Sequence, residues 1–191
     1  MRQGDIMAYG SLIPPGRYHV MASNPPYSLW WPAPEGSPYR EYELRSGEHI
    51  ESQHMILELA HHLLCYQNGL LIAVLSGKFF DNHPKAAAYL NKHFQVVANL
   101  TLDRPFKAEY GIDVNAAFVV AIADSPYATK QRAPLIGPWE GDGPALVAAV
   151  NAAFDQVRRN PYYNPRFAMG PGNRPVNYLS AGWSKVAPDV P

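Results

Sequence analysis

Prolines divide this chain into three stretches. Of the 19, seven fall between Pro14 and Pro38 and ten lie from Pro126 onward, so that only Pro84 and Pro105 stand in the span between. Proline donates no backbone hydrogen bond and interrupts helices and ladders, so regular structure is expected mainly in that middle span. The order of elements there reads as α/β. "YHVMAS" (18–23) has the texture of a buried strand, and "ESQHMILELAHHLLCYQ" (51–67) that of an amphipathic helix with apolar positions Ile56, Ala60, Leu63 and Leu64, ended by Asn68 and Gly69. "GLLIAVLS" (69–76) is a continuous apolar run of the kind buried on both faces of a parallel sheet. A proline-initiated helix "PKAAAYLNKHF" (84–94) follows, then strands "QVVANLTL" (95–102) and "NAAFVVAIA" (115–123), the last two expected to be antiparallel.

After Asp124 the texture changes. "SPYATKQRAPLIGPWEGDG" (125–143) is linker-like, and "PALVAAVNAAFDQVRR" (144–159) reads as one amphipathic helix through Leu146, Val147, Val150, Phe154 and Val157. The proline- and asparagine-rich end looks like an extended arm. The expected division is therefore residues 1–125 as the sheet-bearing unit and 126–191 as a linker or tail with one helix. At 191 residues and 47% hydrophobic content the chain can bury a proper core. Its 16 basic and 16 acidic residues cancel, so net charge demands neither nucleic acid nor membrane. A single cysteine, Cys65, fits a reducing compartment, and "MRQGDIMAYG" lacks an apolar signal core, so a cytoplasmic location without membrane attachment is expected.

The feature that carries chemistry is the end of the first strand, where "YHVMAS" runs straight into "NPPY", Asn24 to Tyr27. Ligand sites of parallel sheets lie beyond the carboxyl ends of the strands. Asparagine offers an amide oxygen as acceptor, and a carbonyl beside proline has no competing donor alongside. With the aromatic ring of Tyr27 added, the set suits a flat substrate carrying an amino group. A proline-rich turn is the plain alternative. From the composition of 11 Asn, 19 Pro and 12 Tyr, the tetrapeptide arises by chance in about one shuffle in 150, before a preceding strand is required.

Here the chain resembles the catalytic part of the N6-adenine DNA methyltransferases, in which a strand is followed by Asn/Asp/Ser-Pro-Pro-aromatic. The likeness extends to "GDIMA" with Asp5, nineteen residues before Asn24, to "LLCYQNGLLIAVLSGKFF", and to "LDRPFKAEYGIDVNAAFVVAI" with Phe106. In order and with plausible spacing these cover residues 3–123. The resemblance implies a Rossmann-like S-adenosylmethionine-dependent methyltransferase sheet. It also implies that Asn24 and the Pro25 carbonyl, within the catalytic set Asn24, Pro25, Pro26 and Tyr27, accept hydrogen bonds from the adenine amine as it attacks the methyl group of S-adenosylmethionine. Tyr27 and Phe106 would pack on the flipped base, and Asp5 with Asn24 would lie by the cofactor. No metal is implied.

Two departures stand out. The proline usual after the second strand is replaced around Ser76 and Gly77, which leaves the roles of Phe79 and Phe80 open. The family's glycine-rich cofactor loop is also missing, since "GDG" at Gly141 and "GPG" at Gly170 follow no expected strand. The expectation is thus an incomplete fold, the second half of the doubly wound sheet. The strand bearing "NPPY" would have a bare edge, to be paired by an N-terminal half of the domain or by a partner chain.

Other features are weaker. His54, Glu58, His61, His62 and Cys65 fall along one helical face like a metal stripe, but the same spacing describes the solvent face opposite Ile56, Ala60, Leu63 and Leu64. The segment 28–49, with Trp30, Trp31, Tyr39, Tyr42, Arg40 and Arg45, is either a loop that closes over substrate or a stiff surface loop. Arg158 and Arg159 read as a charged helix end. No helix-turn-helix or zinc-finger pattern offers base readout. Rival readings are a methyltransferase acting on an RNA base or a protein glutamine amine, and a non-catalytic half-domain. The "GKFF" and "RPFKAEYGIDVNAAF" stretches favour DNA, of the restriction-modification or mobile-element kind. Calorimetry on the 191-residue chain is expected to detect weak or no binding of S-adenosylmethionine, and micromolar binding would contradict the incomplete-fold reading.

Overall fold

The computed structural model describes residues 18–32, 44, 46–64, 69–123 and 133–159, and the backbone of 169–170 and 174–175. Five strands form the main sheet: β1 (Val20–Ser23), β4 (Leu70–Ser76), β5 (Phe94–Leu102), β6 (Ala116–Ala123) and β7 (Leu135–Trp139). Their order across the sheet is β1-β4-β6-β5-β7. β1 lies parallel to β4 and β5 parallel to β7, while β6 runs antiparallel to both of its neighbours, β4 and β5. Four of the five strands therefore point one way, and β6 is inserted against them. The fold is a mostly parallel Rossmann-like α/β sheet.

Short antiparallel pairs add β2 (Trp30–Pro32) to β3 (His49–Glu51), and β8 (Met169–Gly170) to β9 (Arg174–Pro175). The helices are α1 (Ser52–Leu63), α2 (Phe79–Asn82), α3 (Pro84–His93), α4 (Lys107–Tyr110) and α5 (Gly143–Arg159). Leu57 and Ala60 of α1 and Ala86, Tyr89 and Leu90 of α3 pack with Leu71, Ala73, Leu75, Val119 and Ala121 on one face of the sheet. On the other face Val150, Ala153, Phe154 and Val157 of α5 meet Leu70, Leu100, Val120 and Ile122. The alternating strand residues of a sheet covered on both sides account for the unbroken apolar run in β4. A β-bulge between Val96 and Ala98 in β5 inserts one extra residue. Val96 belongs to the first core, whereas Val97 and Ala98 both belong to the second, so the bulge reverses the facing of the rest of the strand.

Three differences from the sequence expectations have physical causes. First, α1 stops at Leu63, because Leu64 turns extended and makes a bridge with Tyr18, so the helix does not run on to Asn68. Second, the expected solvent face of that helix is covered: His54 and Glu58 are buried together with every residue from Ser52 to Ala60. The β2–β3 pair and α3 pack where solvent was expected. Third, part of the linker-like stretch is a strand, β7, at the edge of the main sheet. Gly137 and Pro138 read as breakers, but an edge strand tolerates a missing donor. The helix expected at 144–159 is present as α5.

β1 is the outermost strand on its side, and among the described residues only β4 pairs with it. No helix among the described residues is long and apolar enough to cross a membrane.

Candidate active site on the carboxyl rim

The prolines explain why β1 ends where it does. Its ladder with β4 closes at the pair Ser23 and Ala73, yet β4 continues to Ser76. Pro25 and Pro26 bring no N–H, so pairing cannot extend, and the chain leaves the sheet at its carboxyl rim. Asn24 is exposed there, and its side chain makes no hydrogen bond with a described residue. Pro25 is buried and Tyr27 half-buried. The Tyr27 hydroxyl is buried without a partner among the described residues, and burial pushes its pKa up. The tip of the ring is thus buried while part of the side chain stays accessible. An asparagine amide whose lone pairs no described residue uses, beside a proline carbonyl and an aromatic ring, can receive a planar amine.

What holds this turn is a polar cluster at the start of α1. The buried carboxylate of Glu51 caps the helix, accepting from the backbone N–H of Gln53 at 3.1 Å and of His54 at 3.3 Å. Its Oε1 also accepts from the Ser28 N–H at 3.0 Å and from Gln53 Nε2 at 2.8 Å, and lies 3.4 Å from Ser52 Oγ. The Ser52 hydroxyl donates to the Pro26 carbonyl, and the Ser52 N–H donates to the Leu29 carbonyl at 2.8 Å. Ser28 adopts a left-handed backbone, φ 58°, which costs a non-glycine residue about 1–2 kcal/mol. Gln53 Oε1 accepts from the Ser76 N–H at 2.6 Å, so the same cluster fixes the end of β4.

The next turn along the rim is tied on in the same way. Gly77 N–H donates to the Asn115 carbonyl at 2.9 Å, and Asn115 Oδ1 accepts from the Arg104 N–H at 3.2 Å. A Cβ on Gly77 would come within 2.6 Å of Asn115 Cβ, which explains glycine at this position and also fills the space above its backbone. Phe79 is fully buried in the first core with Phe80 packed against it, so both are packing residues in this structure. Residues 103–115 form a loop folded on itself by the Lys107–Asp113 ion pair at 2.7 Å and by backbone bonds from Tyr110 and Ile112 to the Phe106 carbonyl.

The sequence-expected residues are placed unevenly. Asn24, Pro25, Pro26 and Tyr27 share one rim turn. Phe106 is half-buried on the same rim, but its strand β5 is three positions from β1 in the sheet, about 14 Å. Asp5 lies outside the described residues, as do Cys65, Tyr39, Arg40, Tyr42 and Arg45. Trp30 is 51% exposed beside the turn, and Trp31 is half-buried. No group of three or more metal-ligating side chains occurs among the described residues. No sequence signal singled out Glu51, Ser52 and Gln53: glutamate is not a preferred N-cap residue, and the bond to Ser28 spans 23 positions. The space a Cβ would take at the glycine after β4 is filled by Asn115, whereas "GDG" (141–143), expected to follow no strand, runs from β7 into α5.

No protein-family model matches the chain, and no curated protein matches its sequence. Solved structures do. A candidate class I S-adenosylmethionine-dependent methyltransferase from Listeria monocytogenes superposes with a TM-score of 0.51 at 14% identity, covering 78% of this chain and 44% of that one. The class that the fold defines is therefore Rossmann-like, of the form found in class I methyltransferases. Weaker matches are a chain of a type I restriction-modification system, TM-score 0.45 and 13% identity over 66% of this chain and 25% of that one. Another is the modification subunit of a candidate type I restriction enzyme from Vibrio vulnificus, TM-score 0.40 and 15% identity over 62% and 28%. The chain spans less than half the length of each of these structures.

The electrostatics of the site carry a consequence for stability. His54 is buried against Phe79 and His83, 5.3 and 4.7 Å between ring centroids. Burial holds its pKa below the usual 6.5; Glu51 and the Leu44 backbone oppose this in part, and His83 reinforces it. As pH falls below 6.5 the unfolded chain takes up this proton before the folded one does, so His54 subtracts stability on acidification. Half-buried His62 is shifted the same way. Urea unfolding at pH 7.5 and 5.5 is expected to show a loss of stability at the lower pH, reduced in His54→Gln. An equal loss in the variant would contradict this.

Proposed function

We propose that the rim turn Asn24–Tyr27 binds the exocyclic amine of adenine in DNA for methyl transfer from S-adenosylmethionine, in an enzyme of the restriction-modification or mobile-element kind. The observation that carries the reading is the exposed Asn24 amide, which no described residue hydrogen-bonds, at the carboxyl end of a parallel strand. The DNA assignment rests further on the likeness of "NPPY", "GKFF" and "RPFKAEYGIDVNAAF" to the adenine-specific enzymes.

In this reading Asn24 Oδ1 and the Pro25 carbonyl accept the two amine hydrogens, which favours a pyramidal nitrogen and draws its lone pair out of conjugation with the ring; as the nitrogen–methyl bond forms the methyl–sulfur bond breaks, the thioether leaves, and the methylated nitrogen gives up one proton to water. Tyr27 stacks on the extruded base, and Phe106 reaches it from the loop after β5. S-adenosylmethionine supplies the methyl group, with Asn24 and Asp5, the latter outside the described residues, on the cofactor's side as the resemblance implies. The edge of β1 that no described residue pairs is where the remainder of such a sheet, in the same polypeptide or in a partner, would pair.

The test is made at the native locus. Replacing the codon for Asn24→Ala is expected to abolish the N6-methyladenine in genomic DNA that depends on this locus, with protein abundance unchanged. Mass spectrometry of nucleosides from DNA and RNA reads the outcome. Unchanged DNA methylation would overturn the proposal, and a loss confined to RNA would move the acceptor to RNA.

A further inference from the structure

The geometry points to Glu51 as the positioning residue of the amine-binding turn: by accepting the Ser28 N–H while it caps α1, its carboxylate locks the backbone that aims Asn24 and Pro25. This rests on the reading of Asn24–Tyr27 as the amine-binding turn. Glu51 is 2% exposed and accepts hydrogen bonds from four donors on three residues, Ser28, Gln53 and His54. An N-cap needs only one or two of these. The Ser28 contact is a cross-connection, 23 residues away along the chain, and it is made to a residue in the left-handed region.

The strain at Ser28 makes the clamp specific to the turn. A serine left to itself relaxes out of φ 58° toward the allowed right-handed or extended regions, which would rotate the Tyr27–Ser28 peptide and with it the backbone leading from Asn24. Two bonds oppose that relaxation: Ser28 N–H to Glu51 on one side, and the Ser52 hydroxyl to the Pro26 carbonyl on the other. The second bond also sorts the carbonyls of the motif. Pro26 is committed to Ser52, whereas no bond from a described residue engages the carbonyl of buried Pro25, so of the two it is the Pro25 carbonyl that is uncommitted.

Side-chain length separates the two roles of Glu51. In Glu51→Asp the carboxylate retracts by about 1.5 Å, one carbon–carbon bond, so a good N-cap is kept and the reach to Ser28 is lost. In Glu51→Gln the reach is kept, but the amide nitrogen faces the helix N–H groups and the cap suffers.

Amide hydrogen exchange by NMR on the full chain measures the clamp directly. In the wild type the Ser28 amide is expected to be protected although Ser28 itself is exposed. In Glu51→Asp its exchange is expected to rise about tenfold or more, with the amides of β4 and β6 unchanged. At the native locus, Glu51→Asp is expected to lower methylation at unchanged protein abundance. With the purified methylating enzyme the fall is expected in kcat with the KM for S-adenosylmethionine unchanged, and Glu51→Gln is expected to restore Ser28 protection and part of kcat.

An unprotected Ser28 amide in the wild type overturns the clamp, whether or not any variant folds. Unchanged kcat in a deprotected Glu51→Asp protein overturns the positioning role. If protection responds as described while methylation is indifferent to Asn24, the clamp stands and the functional reading of the turn falls.

Discussion

A carboxylate buried at the start of a helix must find donors for its lone pairs, and at Glu51 that requirement organises the whole carboxyl rim. Leaving a buried group of this kind unpaired costs on the order of 1–3 kcal/mol per lost bond, more when charge is involved. Glu51 meets the requirement with the N-terminal N–H groups of α1, the Gln53 side chain and the backbone of a turn that belongs to a different strand. Helix α1 therefore cannot shift against β1 without unpairing the carboxylate. The cap and the turn stand or fall together.

From that cluster a chain of hydrogen bonds crosses the sheet. Gln53 passes from Glu51 to Ser76 at the end of β4; the neighbouring Gly77 reaches Asn115 at the start of β6; and Asn115 holds Arg104 at the start of the loop that carries Phe106. Each link fixes a backbone group that the end of a strand leaves without a ladder partner. The strands beneath are held by apolar packing on both faces, but the rim is held by these polar bonds. The functional reading needs that division: a rigid sheet below, and above it a turn whose exposed Asn24 amide no described residue engages. It also accounts for the departure from proline at Ser76–Gly77, because only glycine admits the close approach of Asn115.

Much of this was legible in the sequence, for reasons that can be located. β4, β5 and β6 announce themselves as apolar runs because both their faces are covered, and α5 because one of its faces is not. The site turn was legible because two prolines after a strand leave few alternatives. The buried face of α1 was not, since His54 and Glu58 have the spacing of a solvent stripe, and it is the packing of the β2–β3 pair, Leu44, His83 and α3 that excludes solvent there. β7 was hidden by Gly137 and Pro138, which an edge strand accepts. Glu51 was hidden because its role is set by a residue 23 positions away, and periodicity carries no information at that range. What sequence patterns encode is burial on a face; what they omit is which polar atoms meet across elements.

The central claim is that Asn24 receives an adenine amine, and the most direct measurement observes that side chain. Nitrogen-15 NMR of the chain, titrated with a single-stranded oligonucleotide containing one adenine, is predicted to move the Asn24 side-chain amide resonances. The same oligonucleotide with purine in place of adenine, lacking only the amino group, is predicted to leave them in place. Equal responses to the two oligonucleotides, or a response that spares Asn24, would contradict the account.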